Sequence, residues 1–172
     1  HFDHLGLGYD GSSLDTSPKG KIHNGADDNA SGVAGMLELA RVYATNGMKE
    51  SYNFLFIGFS GEELGLLGSK HFGEHPAIAL ETVHCMVNLD MIGRFNDSKK
   101  ELIVGGTGTS PTFEPLVKSV AERSFNNEFA LALDSSGVGP SDHTSFYLKK
   151  IPVLFFFTGV HSDYHKPSDD IE

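Results

Sequence analysis

The chain has 172 residues, which suits one domain with a single core, and its 39% hydrophobic and 21% charged content argues against a disordered segment. Its formal net charge of −10 leaves no basic patch to neutralise phosphates, so nucleic acid is not expected as a partner. The strongest apolar run, residues 151–157, is too short to cross a bilayer, so no membrane span is expected. We expect a single domain over residues 1–172.

The two ends of the chain suggest a piece of a longer protein. The sequence opens on His1 without an initiator Met, and it stops at Glu172 just after a dense polar motif. We therefore expect a domain core that is truncated at both ends and whose targeting segment is not visible. The single cysteine, Cys85, excludes an internal disulfide and any metal site built from cysteine alone.

The first half of the chain begins with a loop over residues 1–25, rich in Gly, Ser, Asp and Pro. Apolar residues at helical spacing from Val33 to Tyr43 then predict a helix that starts beside Asp27 and ends near Gly47. Residues 52–60 form a nearly continuous apolar run, which is typical of a strand buried on both faces. The acidic pair Glu62–Glu63 follows it directly.

The second half continues an alternation of helices and strands. The periodicity predicts helices over residues 64–73, 112–123 and 142–149, and strands over residues 83–89, 102–104 and 151–157. No internal repeat and no linker rich in Pro or Gly divides the chain. The pattern therefore predicts an α/β fold.

Five polar clusters lie in loops after strands or before helices, where open α/β sheets build their sites. They cover residues 1–4, 25–32, 61–65, 88–93 and 164–165. One ligand from each cluster would give two His side chains, two Asp and one Glu, which are ligand types that zinc accepts. Five such ligands, one of them bridging, meet the count for two zinc ions about 3.5 to 4 Å apart.

Each acidic cluster also has an ordinary structural interpretation. Glu62–Glu63 could be a solvated acidic turn, although two adjacent carboxylates after a buried strand repel each other unless a cation or a shared proton compensates. Asp27 and Asp28 could cap the following helix. Asp90 lies within an apolar run, where an unpartnered carboxylate is costly, but a structural hydrogen bond could satisfy it.

In this order, from His1 to Asp170, the motifs resemble the co-catalytic, two-zinc aminopeptidase family of the zinc-exopeptidase clan, which includes secreted bacterial leucine aminopeptidases. The resemblance implies a three-layer α/β/α fold with a mostly parallel, mixed central sheet. It implies hydrolysis of the N-terminal peptide bond of peptides with a free N-terminus. It also implies a secreted or periplasmic parent protein.

The resemblance further assigns the metal ligands. His1 binds one of two zinc ions, with Co or Mn as possible substitutes, and Asp27 bridges both. Glu63 and His165 complete one metal, and Asp90 completes the other together with His1.

Three further residues receive catalytic roles from the same resemblance. Glu62 is the general base, which takes a proton from the metal-bridging water. Asp3 orients the imidazole of His1. Tyr164 donates a hydrogen bond to the developing oxyanion.

Several alternatives stay open at this stage. A glutaminyl cyclase shares this fold but uses one zinc, a receptor-like module keeps the fold without metals, and a carboxypeptidase or aminoacylase of the clan binds its substrate differently. Ser141–Asp142–His143 lacks the motif of a serine nucleophile, and Asp142 and His143 are expected to help shape the pocket instead. The remaining histidines are expected to be surface or packing residues: His23, His71, His75, His84 and His161.

Overall fold

The computed structural model describes residues 1–95, 98, 100–125 and 129–171. Within these residues the helices are α1 (Gly32–Thr45), α2 (Leu67–Glu74), α3 (Phe113–Phe125) and α4 (His143–Tyr147). The strands are β1 (Met86–Leu89), β2 (Glu101–Gly105), β3 (Ala130–Leu133) and β4 (Val153–Phe157). No helix in this described part of the chain combines the length and the apolar character needed to cross a membrane.

The four strands form one open sheet in the order β1-β4-β2-β3. β1 pairs in parallel with β4, with Asn88 opposite Phe155, and β2 pairs in parallel with β3. β2 and β4 are antiparallel, with Val104 opposite Phe156. The predicted mixed, mostly parallel sheet is therefore confirmed.

The helices lie on both faces of this sheet. α1 approaches β1 so closely at Gly35 that a Cβ there would lie 3.3 Å from Leu89 Cδ1. The neighbouring residue of the strand, Asn88, instead donates to Ser141 Oγ just before α4, at 2.7 Å. Because successive side chains of a strand point to opposite faces, α1 and α4 lie on opposite sides of β1, as the predicted three-layer fold requires.

The prediction of a buried strand over residues 52–60 is wrong for this structure. A strand is defined by a ladder of backbone hydrogen bonds. Residues 52–60 make only two backbone hydrogen bonds to other described segments, from Phe2 N to Phe59 O and from Gly68 N to Ser60 O, both at 2.9 Å, and these form no ladder. Tyr52, Phe54 and Leu55 are 47–63% exposed. Strand β3, in contrast, is present but was not predicted, because its four residues lie in a stretch that carries no clear period.

The last part of the apolar segment nevertheless anchors the core. Phe59 packs with Phe146 of α4, with Ile151 and with Val153 of β4 in one buried cluster. Two residues later Gly61, at φ +71°, turns the chain into the Glu62–Glu63 loop. The core therefore holds the acidic pair at a defined position beside the carboxyl ends of β1 and β4.

Candidate metal centre

A single buried carboxylate, that of Asp28, lies between the first and the last histidine motif. Its Oδ1 is 3.3 Å from His1 Nε2, and its Oδ2 is 3.3 Å from His165 Nε2. Only 3% of Asp28 is exposed. A carboxylate whose two oxygens face two separate imidazoles has the geometry of a bridging metal ligand.

The structure corrects the assignment of the bridging position to Asp27. The Asp27 carboxylate points elsewhere: its Oδ1 accepts a hydrogen bond from Gly93 N at 2.7 Å, and its Oδ2 lies 3.2 Å from His161 Nε2. The backbone decides between the two neighbours, because the turn at Ala26–Ser31 directs adjacent side chains in different directions. The bridging candidate is therefore Asp28.

The other polar motifs supply donors on either side of Asp28. On one side His1 Nε2 lies 3.4 Å from Asp90 Oδ1 and 3.7 Å from Glu62 Oε2. On the other side His165 Nε2 lies 3.1 Å from Glu63 Oε2. Two groups of metal-ligand atoms each fit within 4.8 Å of one another: His1, Asp28 and Glu63, and His1, Glu62 and Asp90.

This set of donors fits zinc. Imidazole nitrogens and carboxylate oxygens are ordinary zinc ligands, and each side of Asp28 offers one imidazole and at least one further carboxylate. Asp90 Oδ1 is buried, makes no hydrogen bond to a described residue and lies 3.4 Å from His1 Nε2, so it is an acceptor that a metal ion could use. These residues therefore fit divalent metal ions such as zinc.

The electrostatics of the cluster call for positive charge. Burial lowers the pKa of His1, but its contacts with Asp28 and Asp90 outweigh burial and raise that pKa to about 12. Burial likewise opposes the contacts of His165 with Asp28 and Glu63, which raise its pKa to about 10. Both imidazoles thus take up protons because several carboxylates converge on them, and divalent ions would supply the same compensation.

Glu62 has the opposite perturbation. Burial raises its pKa, the nearby charges of Asp90, Glu63 and Asp142 raise it further, and the value reaches about 8 despite the opposing charge of His1. A carboxyl group whose pKa lies near neutrality can both accept and return a proton. Bound cations would lower this pKa by their own charge.

Asp3 lies beside His1 and contacts its imidazole through the backbone. The acceptor within hydrogen-bond distance of His1 Nδ1 is the backbone oxygen of Asp3, at 3.0 Å, whereas its carboxylate Oδ1 lies 3.8 Å away. The other carboxylate oxygen accepts from Gly61 N at 2.8 Å. Asp3 therefore joins the His1 segment to the Glu62 loop, and orientation of the imidazole by its carboxylate stays a prediction.

Tyr164 packs directly on the last histidine. Its ring stacks on that of His165, with ring centroids 3.8 Å apart. Burial, followed by the charges of Asp28 and Glu63, raises the pKa of the Tyr164 hydroxyl above its usual value, so this group stays protonated and able to donate. Its proposed contact with an oxyanion stays a prediction.

Ser141 is a hydrogen-bond donor to the cluster. Its Oγ donates to Asp90 Oδ2 at 2.6 Å, and it accepts from Asn88 Nδ2 at 2.7 Å. The chain Asn88 to Ser141 to Asp90 is buried throughout, and it leaves Asp90 Oδ1 directed toward His1. The neighbouring Asp142 is fully buried, which raises its pKa, and its predicted role in shaping the pocket stays open.

Asp169 holds the turn that presents Asp28, and no motif in the sequence singles it out. Its carboxylate is fully buried and accepts from Asp27 N at 3.1 Å and from Asp28 N at 3.0 Å. Its backbone oxygen accepts from Ala26 N at 3.2 Å. Residues near the C-terminal end of the chain thus fix the backbone on which Asp28 stands.

We expect Asp169→Asn to destabilise the protein, because the new amide nitrogen would face backbone N–H groups that need an acceptor. Loss of a buried acceptor of this kind costs about 1–3 kcal/mol. Urea unfolding followed by circular dichroism measures the difference. Asp170→Asn, a change at the exposed neighbour, is the matched control. A loss for Asp169→Asn no larger than about 0.5 kcal/mol, the ordinary range for surface substitutions, would contradict this role.

Comparison with known proteins places this arrangement in a family. The model of peptidase family M28 matches residues 1–172. The chain belongs to peptidase family M28. It is 35% identical over 158 residues to aminopeptidase YwaD of Bacillus subtilis strain 168, an alignment that covers 86% of this chain and 33% of that protein. The chain thus spans about a third of the length of the curated relatives it matches.

Solved structures of related proteins share the M28 fold. The structure of BSAP, a zinc aminopeptidase from Bacillus subtilis, has a TM-score of 0.70 at 33% identity, over 91% of this chain and 38% of that one. A glutaminyl cyclase from Bacteroides thetaiotaomicron has a TM-score of 0.64 at 19% identity, over 92% of this chain and 60% of that one. The second match shows a common fold alone.

Proposed function

We propose that this M28 chain carries the catalytic core of a zinc aminopeptidase, which hydrolyses the N-terminal peptide bond of peptides. The observation that carries the proposal is the Asp28 carboxylate, with one oxygen toward His1 and the other toward His165. The relatives of this chain support the same activity and metal, because YwaD is named as an aminopeptidase and BSAP as a zinc aminopeptidase.

Asp28 would be a shared ligand of two zinc ions. His1 and Asp90 would help to hold one ion, and His165 and Glu63 would help to hold the other. When bound, zinc lowers the pKa of water and polarises the substrate carbonyl. The carboxylate oxygens of Asp28, Asp90 and Glu63 lie within 3.4 Å of the Nε2 atom of His1 or His165.

Glu62 is the proposed general base. It accepts a proton from the attacking water and delivers it to the departing amine, so its carboxyl group must cycle between the two protonation states. Its partly buried position beside Asp90 and Asp142 supports this role, because burial keeps bulk water from competing for the proton. Tyr164 is the proposed donor to the carbonyl oxygen as negative charge develops there.

The substrate class rests on the relatives and not on the charge of the cluster, because two divalent ions would offset the carboxylates that hold them. YwaD and BSAP are named as aminopeptidases, so we favour an aminopeptidase over a carboxypeptidase of the same clan. Location outside the cytoplasm, which the family resemblance implied, stays a prediction.

The first test combines metal analysis with an activity panel. We expect the purified protein to contain about two zinc ions per chain and to hydrolyse aminoacyl chromogenic substrates that have a free α-amino group. Treatment with a chelator is expected to abolish turnover, and added zinc to restore it. N-acetylated versions of the same substrates are the matched control, and we expect them to resist hydrolysis.

The other outcomes separate the alternatives. One zinc per chain together with cyclisation of N-terminal glutaminyl peptides would replace the proposal with a glutaminyl cyclase. Absence of both bound metal and turnover would indicate a binding module that keeps the fold. Hydrolysis of the acetylated substrates as fast as the free amines would contradict recognition of the N-terminus.

A further inference from the structure

His4 contacts the proposed metal ligand Glu63 and has no role in the function described above. Its Nδ1 lies 2.8 Å from Glu63 Oε1, while the other carboxylate oxygen, Oε2, lies 3.1 Å from His165 Nε2. The His4 side chain is 7% exposed and that of Glu63 is 6% exposed. The two oxygens of Glu63 are therefore divided between two histidines in a buried setting.

The proton on this contact can be assigned from chemistry. A carboxylate that binds a metal ion is ionised, so Glu63 as a proposed ligand can only accept a hydrogen bond at this contact. His4 Nδ1 must then carry the hydrogen. An imidazole N–H that donates to a carboxylate makes a charge-assisted bond, which is stronger than a neutral one.

The His4 ring is fixed by its neighbours. Gly25 packs so closely against it that a Cβ at Gly25 would lie 2.7 Å from His4 Cγ. On another side the ring meets that of His165 edge to face, with centroids 5.8 Å apart. A ring held in this way cannot turn its Nδ1 away from Glu63 without moving the Gly25–Asp28 turn or the last histidine motif.

We propose that His4 is a positioning residue that holds Glu63 in a one-oxygen coordination mode. By occupying Oε1, it directs Oε2 alone to the ion that Glu63 shares with His165 and Asp28. This inference rests on the proposed two-ion centre. As a consequence, His4 influences the affinity of the ion held by Glu63 and His165, although it lies only three residues after His1, a ligand of the other ion.

The test compares His4→Phe with His4→Asn by zinc titration against a competing chelator. Phenylalanine keeps a packed ring but has no N–H, whereas the asparagine side-chain amide offers an N–H close to the position of Nδ1. We expect His4→Phe to weaken binding of one of the two zinc ions by about 10- to 100-fold, the range for loss of a partner to a metal ligand. His4→Asn is expected to stay within about threefold of the unaltered protein, since it keeps the donor.

A purely structural role would give the reverse order. If His4 served only to fill space, His4→Phe would bind both ions normally and His4→Asn would be the weaker variant, which would overturn the proposal. Equal weakening of both variants with equal losses of thermal stability would overturn it as well. If the unaltered protein bound no zinc, the proposed function itself would fail, and this outcome is distinct from two-ion binding that is insensitive to His4.

Discussion

Glu62→Gln is expected to abolish peptide hydrolysis while the protein keeps its metal. Glutamine has the same shape but cannot accept a proton, and general base catalysis of this kind contributes about 10²- to 10⁴-fold to rate. Glu62 is suited to the role because burial and the neighbouring carboxylates raise its pKa to about 8. The measurement is kcat/KM on an aminoacyl substrate, together with zinc content of the same sample.

The control for this substitution is Glu122→Gln, the same chemical change on the exposed face of α3. It should leave both zinc content and kcat/KM within about twofold, since a surface change away from the site acts weakly. Retention of more than about a tenth of the activity by Glu62→Gln would remove Glu62 as the base. Loss of zinc together with activity would mean instead that Glu62 is needed to hold the metal.

Asp28→Asn is expected to break the metal centre, whereas Asp27→Asn should affect it far less. An asparagine keeps one oxygen but loses the second, so it cannot bridge two ions. We expect the zinc content to fall from about two ions per chain to one or fewer, and activity to fall by at least about 10²-fold. Asp27→Asn keeps an oxygen for Gly93 N and loses only its charge opposite His161.

This comparison decides between the two neighbouring aspartates directly. Both substitutions remove one negative charge, so a general electrostatic effect would weaken zinc binding equally in the two variants. If Asp27→Asn lost the second zinc and Asp28→Asn kept it, the assignment from the structure would be wrong and the assignment from the sequence resemblance right. Zinc content by atomic emission, measured on both variants at equal protein concentration, gives the answer.

Much of the fold could be predicted from local sequence patterns. β4 is a short apolar run, and its prediction agrees with the structure within two residues at each end. α1 carries a long apolar period and was also predicted, although it begins at Gly32 and not beside Asp27. Residues 52–60 carry the same kind of apolar signal as β4, yet they form no ladder in the described chain. Strand formation depends on a partner, and apolar character alone does not supply one.

The candidate site divides in the same way. The sequence determined which chemistry is available: two histidines and three carboxylates in loops beside strands, together with a second glutamate, Glu62, suited to proton transfer. The structure brings these motifs together as expected, within 3.1–3.7 Å between imidazole and carboxylate atoms. This agreement follows from a general property of open sheets, whose strand ends gather their loops at one edge.

Only the tertiary structure decided which aspartate faces His1 and His165 and which residues hold the metal ligands in place. Asp27 and Asp28 are identical in type and adjacent, so no pattern of residues distinguishes them. The distinction comes from the turn, which Asp169 anchors from 141 residues away in the chain through its bond to Asp28 N. Contacts between residues so distant in sequence, like that of His4 with Glu63, form only when the fold brings them together.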